Sequence, residues 1–192
     1  MNKSGYGLVV NTSIDEGVLS IREFVWPVQR ALPFPSKVVS LSRLKKSDVK
    51  NSSFIIFSGC PLENNLYQSY FSKLDWLKNV DVPMLGICSG QHLLGAVFGG
   101  KIRKMEKPVI GMYPVRKTKN HFLLDCFSQS FKVYGLRQFD LVPGKNFDSI
   151  ASSSFSDSEV IVHKNKKIAG VSFHPEVCNR SFFYSFFEWA GH

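Results

Sequence analysis

The stretch VPMLGICSGQHLLGAVFGG, Val82 to Gly100, constrains this chain more than any other. A compact apolar run, Met84 to Ile87, stops at a cysteine set between two glycines, and a run of helical spacing, Gly90 to Phe98, follows and ends at Gly99-Gly100. A short apolar run of this kind reads as a strand buried on both faces, and glycines commonly stop helices. The pattern G-x-Cys-x-G, Gly86 to Gly90, is that of a nucleophile elbow, in which a strand turns sharply into a helix and lifts one side chain clear. The flanking positions of so tight a turn exclude Cβ atoms, and the apex residue is held in a strained backbone conformation. Placed at the start of the helix, the Cys88 sulfur would face unpaired N–H groups and the positive end of the dipole, which favour thiolate. The ordinary alternative is a small buried hydrophobe, the fate of most free cysteines.

Around this junction the first half of the chain alternates strand and helix. Leu8 to Val10, Lys37 to Leu41 and Phe54 to Phe57 read as strands. Val18 to Leu32, interrupted at Pro27, and Tyr67 to Leu77 read as helices, with Ser42 to Val49 a polar helical candidate. Beyond residue 100 the texture becomes short strands: Val109 to Val115, Lys132 to Tyr134, Ile150 to Ala151, Val160 to His163 and Ile168 to Phe173, with KNKK as a turn. A closing helix carries Phe182, Phe183, Phe186, Phe187 and Ala190 on one face, which is assigned to the core. The alternation predicts an α/β fold of three layers, doubly wound on a mostly parallel sheet, and 192 residues predict a single domain over 1–192.

Composition narrows the class of partner. Hydrophobic residues are 44% and charged residues 20%, and no apolar run approaches the roughly 18 to 20 residues needed to span a bilayer. Met1 to Gly5 lead almost directly into Leu8 to Val10 without an export signal, so the expected location is the cytoplasm, away from membranes. Cys60, Cys88, Cys126 and Cys178 are widely spaced, with no CxxC pair and no zinc-ligand spacing, and are expected to be free thiols with no metal site. No nucleotide-binding glycine loop is present, so no cofactor is expected on this chain. The 24 basic residues against 15 acidic ones give a formal charge of +9, but they are scattered. The densest groups, Arg43, Lys45, Lys46 and Lys164, Lys166, Lys167, are not interleaved with aromatics, which argues for a solvated surface over nucleic-acid binding.

Two more segments carry chemistry. AGVSFHPEV, Ala169 to Val177, ends an apolar run at His174, then Pro175 and Glu176. A thiolate needs a proton shuttle, and an imidazole needs an anion to fix its tautomer; a histidine and a glutamate two apart can supply both. The other histidines, His92, His121, His163 and His192, lack such a setting and read as structural. FIIFSGCPLENN places a tight turn, Ser58 to Pro61, after a buried strand, so that the N–H of Cys60, with Gly59 as a further candidate, and that of Ser89 could form an anion hole.

Together the turn at Ser58 to Pro61, P-x-L-G-I-C-x-G-Q at Pro83 to Gln91, FGGKI at Phe98 to Ile102 and G-V-x-F-H-P-E-V at Gly170 to Val177 resemble the class I, or triad, glutamine amidotransferases across essentially the whole chain. The resemblance implies a flavodoxin-like fold, glutamine as substrate, Cys88 as nucleophile, His174 as acid and base, and Glu176 as its orienter. It also implies ammonia transfer to a separate partner, an ATP-dependent synthetase or another ammonia-accepting subunit. PLENN and the length are similar to archaeal-type GMP synthetase glutaminase subunits. The loop after Cys60, together with Gln91 and the region near Asp140, is expected to hold the substrate's α-amino and α-carboxyl groups. Two departures stand out. Cys60 occupies a turn position that is usually glycine, which implies that the hole forms on rearrangement, for example when a partner docks. Gln138 and Phe139 replace residues of the S-H-G-D stretch of GMP synthetases, although Asp140 fits. Two other readings stay open: a γ-glutamyl hydrolase-like enzyme using the same three residues, and a non-catalytic regulatory protein with a decayed anion hole.

Overall fold

The computed structural model describes residues 6–14 and 17–192. Met1 to Gly5, on which the reading of the N-terminus rests, and residues 15 and 16 lie outside the described residues.

Among the described residues nine strands form one sheet in the order β2-β1-β3-β4-β9-β8-β7-β5-β6. The strands are β1 (Tyr6–Asn11), β2 (Ser36–Ser40), β3 (Ser52–Phe57), β4 (Met84–Ile87), β5 (Lys101–Lys117), β6 (Ser130–Val142), β7 (Phe147–Ser152), β8 (Val160–His163) and β9 (Ile168–Val171). From β2 to β9 the neighbours pair in parallel, with the order reversing at β1. This is the doubly wound half that the alternation predicts. The later strands extend it with antiparallel pairs, ending in a long β5–β6 hairpin. That hairpin is much longer than the short strands read from sequence, because β5 is largely exposed and carries little apolar alternation to mark it.

Consecutive residues of a strand point to opposite faces, and both faces here are covered. On one side Val9, Ile56, Leu85 and Ile87 meet Val25, Val28 and Ala31 of the first helical segment and Phe182, Phe183, Phe186 and Phe187 of the last helix, Ser181–Ala190. On the other side Leu8, Val10, Ile55, Phe57 and Met84 meet Val49 of α3 (Lys46–Lys50) and Leu93, Leu94 and Val97 of α4 (Ser89–Val97). The aromatic face of the last helix is therefore core, as expected. The first helical segment runs from α1 (Val18–Ser20) through a π-helical turn, Ile21–Val25, into α2 (Trp26–Ala31). The irregularity lies before Pro27, which occupies the first turn of α2, where its missing N–H costs no hydrogen bond. The region expected as one helix at Tyr67 to Leu77 is two 3-10 segments, Leu66–Tyr70 and Ser72–Asn79. Among the described residues no helix is long and apolar enough to cross a membrane.

The glycines flanking Cys88 have steric reasons. A Cβ on Gly90 would stand 2.2 Å from the Phe57 carbonyl oxygen, and one on Gly86 would stand 2.4 Å from the Gly90 carbonyl carbon and oxygen. Both obstacles are backbone, so no rotamer change relieves them. Gly90→Ala is expected to cost about 2 kcal/mol or more, lowering the melting temperature by about 5 °C or more. A thermal melt checks this; an unchanged midpoint would mean that α4 can slide off β3.

Candidate active site

Four adjacent parallel strands, β1, β3, β4 and β9, end at one edge of the sheet, and the segments that follow them meet around Cys88. Ligand sites of doubly wound sheets lie at this carboxyl edge. Cys88 has φ 51° and ψ −108° and is the one non-glycine at positive φ among the described residues. Its N–H donates to the carbonyl of Val171 at 2.8 Å and its carbonyl accepts the His92 N–H at 3.1 Å, so the strained apex is fixed from β9 and from the helix it starts. The thiol is buried and donates to the Leu136 carbonyl of β6 at 3.5 Å.

His174 follows β9 and donates its N–H to the Tyr134 carbonyl at 2.9 Å. Its Nδ1 lies 2.7 Å from Glu176 Oε1, the carboxylate accepting, and both side chains are buried. Among the described residues His174 Nε2 and Glu176 Oε2 have no hydrogen-bond partner. Burial by itself would lower the imidazole's pKa, but Glu176 and then Cys88 outweigh it and hold the group well above 6.5. Gly59 makes room for the ring: a Cβ there would stand 2.5 Å from His174 Cε1. Phe24 flanks the imidazole at a centroid distance of 5.8 Å.

The turn after β3 is laced to the elbow. The Thr12 hydroxyl donates to the Ser58 carbonyl at 2.8 Å and lies 2.7 Å from Ser89 Oγ. Cys60, the residue substituted in the turn, does not take a positive φ, so no backbone strain attaches to its side chain. Its buried thiol donates to the Asn64 carbonyl at 3.2 Å, and burial, reinforced by nearby Cys88, pushes its pKa up to about 12.

Cys60, Tyr67, Cys88, His92, Arg137 and Gln138 are among the residues lining a cavity of ≈ 10 Å³, about the room one water occupies. Gln138 bridges one side of it: its Nε2 donates to the Leu62 carbonyl at 2.5 Å and to Asn65 Oδ1 at 3.3 Å, tying β6 to the loop after Cys60.

Cys88, His174, Glu176, Gly59, Cys60 and Ser89 thus come together. The two residues expected to hold the substrate do not join them. Gln91 turns away from the cavity, donating from Nε2 to the Ser158 carbonyl at 2.8 Å and packing against Gly170. Asp140 is engaged by Arg103, at 2.8 Å from Nη2, and by the Ser156 hydroxyl at 2.5 Å. In their place the cavity is lined by His92 and Arg137. His92 Nδ1 lies 2.9 Å from the Tyr67 hydroxyl, Nε2 has no hydrogen-bond partner among the described residues, and burial followed by the Arg137 charge lowers its pKa to about 3, so it is neutral. One helical step, about 100°, separates the face of Gln91 from that of His92, which a sequence alone does not orient.

The doubly wound sheet is an α/β fold shared with solved structures. A candidate GMP synthase subunit protein of Thermoplasma acidophilum superposes with a TM-score of 0.82 over 97% of this chain and 94% of that one, at 21% identity. A Thermotoga maritima glutamine amidotransferase gives 0.70 over 96% and 81%, at 18% identity. The family model for glutamine amidotransferase class-I matches residues 19–188, and the chain belongs to that family. Among curated relatives, a glutamine-hydrolyzing GMP synthase subunit of Sulfolobus acidocaldarius is 33% identical over 133 residues, 68% of this chain and 70% of the relative. The protein of the same name from Pyrococcus abyssi is 31% identical over 162 residues, 81% and 83% of the two chains.

Proposed function

We propose that this chain, as a single domain, hydrolyses the side-chain amide of glutamine through a thioester on Cys88 and hands the ammonia to a separate ATP-dependent synthetase. The observation that carries the reading is the strained Cys88 apex beside an imidazole whose Nδ1 is held by Glu176 at 2.7 Å. The names of the curated relatives support glutamine as the nitrogen donor and a subunit role.

In this reading the Cys88 thiolate attacks the amide carbon, and backbone N–H groups of Ser89 and the Gly59–Cys60 turn receive the oxyanion. His174 gives its proton from Nε2 to the departing nitrogen, so ammonia leaves and the γ-glutamyl thioester remains. The neutral imidazole then takes a proton from water, which attacks the thioester and releases glutamate and the thiol. Glu176 keeps Nε2 facing the reaction throughout. In the resting geometry Nε2 is unpartnered and the thiol bonds Leu136, and such contacts commonly tighten only with substrate bound.

The altered turn does not favour the non-catalytic reading, because Cys60 retains its N–H at a φ open to any residue. The test is ammonia release from glutamine by the purified chain, together with labelling by an electrophilic glutamine analogue mapped by peptide mass. One equivalent on Cys88 is expected, even where turnover waits for the synthetase. Labelling no faster at Cys88 than at exposed Cys126 and Cys178 would overturn the reading.

A further inference from the structure

The amino edge of the sheet, opposite the edge that carries Cys88, holds two adjoining cavities that the reaction does not use. β3, β4 and β9 are parallel neighbours, so the residues that lead into them lie side by side, with about 4.8 Å between strands. One cavity, ≈ 400 Å³, is framed by Lys46, Val49 and Lys50 of α3, by Trp76, and by Val80, Asp81 and Val82 before β4. The other, ≈ 470 Å³, shares those last three residues and is bounded by Lys166 and Lys167 before β9. Both volumes fall within the roughly 300–1,000 Å³ of small-molecule sites.

These lysines come from or adjoin the two densest basic groups of the sequence, which lie far apart along the chain. Pairing of β4 with β9 brings them to one groove, the Met84 N–H donating to the Lys167 carbonyl at 2.9 Å. Neither group is interleaved with aromatics in the sequence, but the fold adds one. Trp76 is half-buried, packs against the core that holds Val49 and Leu77, and lines the first cavity. Lys46 Nζ stands 5.9 Å from its ring centroid, near the outer limit of a cation–π contact, so the lysine claims the ring only loosely. Lys166 fixes the wall between the cavities: its Nζ donates to the Val80 carbonyl at 3.0 Å and stands 3.7 Å from Asp81. Asp81 is the one acidic side chain lining either cavity among the described residues, and it is 98% exposed. The groove is therefore positive.

An indole beside Val49 and Val82 suits a flat ring, and unbalanced lysines suit an anion. A nucleotide carries both on one molecule. We propose that this groove binds a nucleoside phosphate, its base laid on Trp76 and its phosphate received by Lys46 and Lys50. The site is separate from the elbow: β4 runs between them, starting beside the groove at Met84 and ending at Ile87. It stands whether or not the chain hydrolyses glutamine. The same chemistry is offered by a free mononucleotide and by a residue of single-stranded RNA, and the choice of probe separates the two.

The experiment is calorimetric titration of the full chain with adenosine 5′-monophosphate, adenosine, inorganic phosphate and a short oligoadenylate. The monophosphate is expected to bind with a Kd of about 1 mM or below and to quench tryptophan fluorescence, and adenosine and phosphate each to bind at least about tenfold more weakly. Trp76→Leu is expected to weaken the monophosphate about tenfold and to remove the quench, although Trp26 and Trp189 remain. Lys46→Ala/Lys50→Ala changes two exposed side chains, leaves the core intact, and is expected to weaken binding about tenfold and flatten its salt dependence. Should Trp76→Leu not fold, the lysine variant decides. Oligoadenylate that binds more tightly than the monophosphate, and loses this in the same variants, supports the site with RNA as its source; equal or weaker binding supports a free nucleotide. No saturable binding of the monophosphate up to about 10 mM, phosphate alone binding as well, or binding unmoved in the lysine variant would each overturn the proposal.

Discussion

Cys88→Ala is expected to abolish ammonia release and analogue labelling together, with turnover falling by about 10⁴-fold or more. The size follows from the absence of a substitute. Cys60, the other thiol in the cavity, is buried with a pKa pushed up to about 12 and is committed to the Asn64 carbonyl, so it offers almost no thiolate at neutral pH. Stability should change little, because the Cys88 thiol makes one long hydrogen bond and alanine inherits the same strained φ of 51°. Cys88→Gly makes the contrast informative: it removes the sulfur and relieves the strain, and is expected to be more stable than Cys88→Ala by about 1 kcal/mol. Ammonia release, intact mass and thermal melts on the three proteins check this. Labelling that persists in Cys88→Ala would move the nucleophile elsewhere. Equal melting of the alanine and glycine variants would mean that the elbow stores no strain.

What the sequence made legible was local. The run Met84 to Phe98 announces strand, elbow and helix because the apolar burial, the steric exclusion at Gly86 and Gly90 and the helix start all fall within a few residues. His174 and Glu176 are two apart, so their pairing could be read from one segment. The parallel half of the sheet was legible for the same reason, since fully buried strands are compact apolar runs. What was hidden depends on distant partners. Asp140 looks like a site residue until β5 brings Arg103 beside it across the hairpin. Gln91 fits the motif, but its direction is set by Gly170 of β9, which leaves room for its stem, and by Ser158, before β8, which offers a carbonyl. His92, dismissed as structural, lines the cavity because it falls on the other face of the same helical turn. Arg137 gave no signal in a stretch, YGLRQFDLVP, whose charge balance requires Glu159 from a segment 22 residues later.

His174→Ala is expected to lower kcat by roughly 10²–10⁴-fold, the usual contribution of a general acid and base, without removing Cys88 itself. Glu176→Gln separates the charge of the pair from its shape. The amide can still meet Nδ1, but the larger of the contributions that oppose burial is gone and Cys88 alone remains against it, so the imidazole's pKa should fall from its raised value. In the wild type the raised pKa contributes stability that is complete below about 6.5 and is lost as pH climbs through the raised value. In Glu176→Gln that contribution shrinks with the pKa. Melting temperatures of the two proteins should therefore differ most on the acid side, in favour of the wild type, and the wild type should lose more of its stability as pH rises. Parallel melting curves would mean that His174 and Glu176 do not share a proton-linked charge pair in solution, and the acid and base role would pass from His174 to another group facing Cys88.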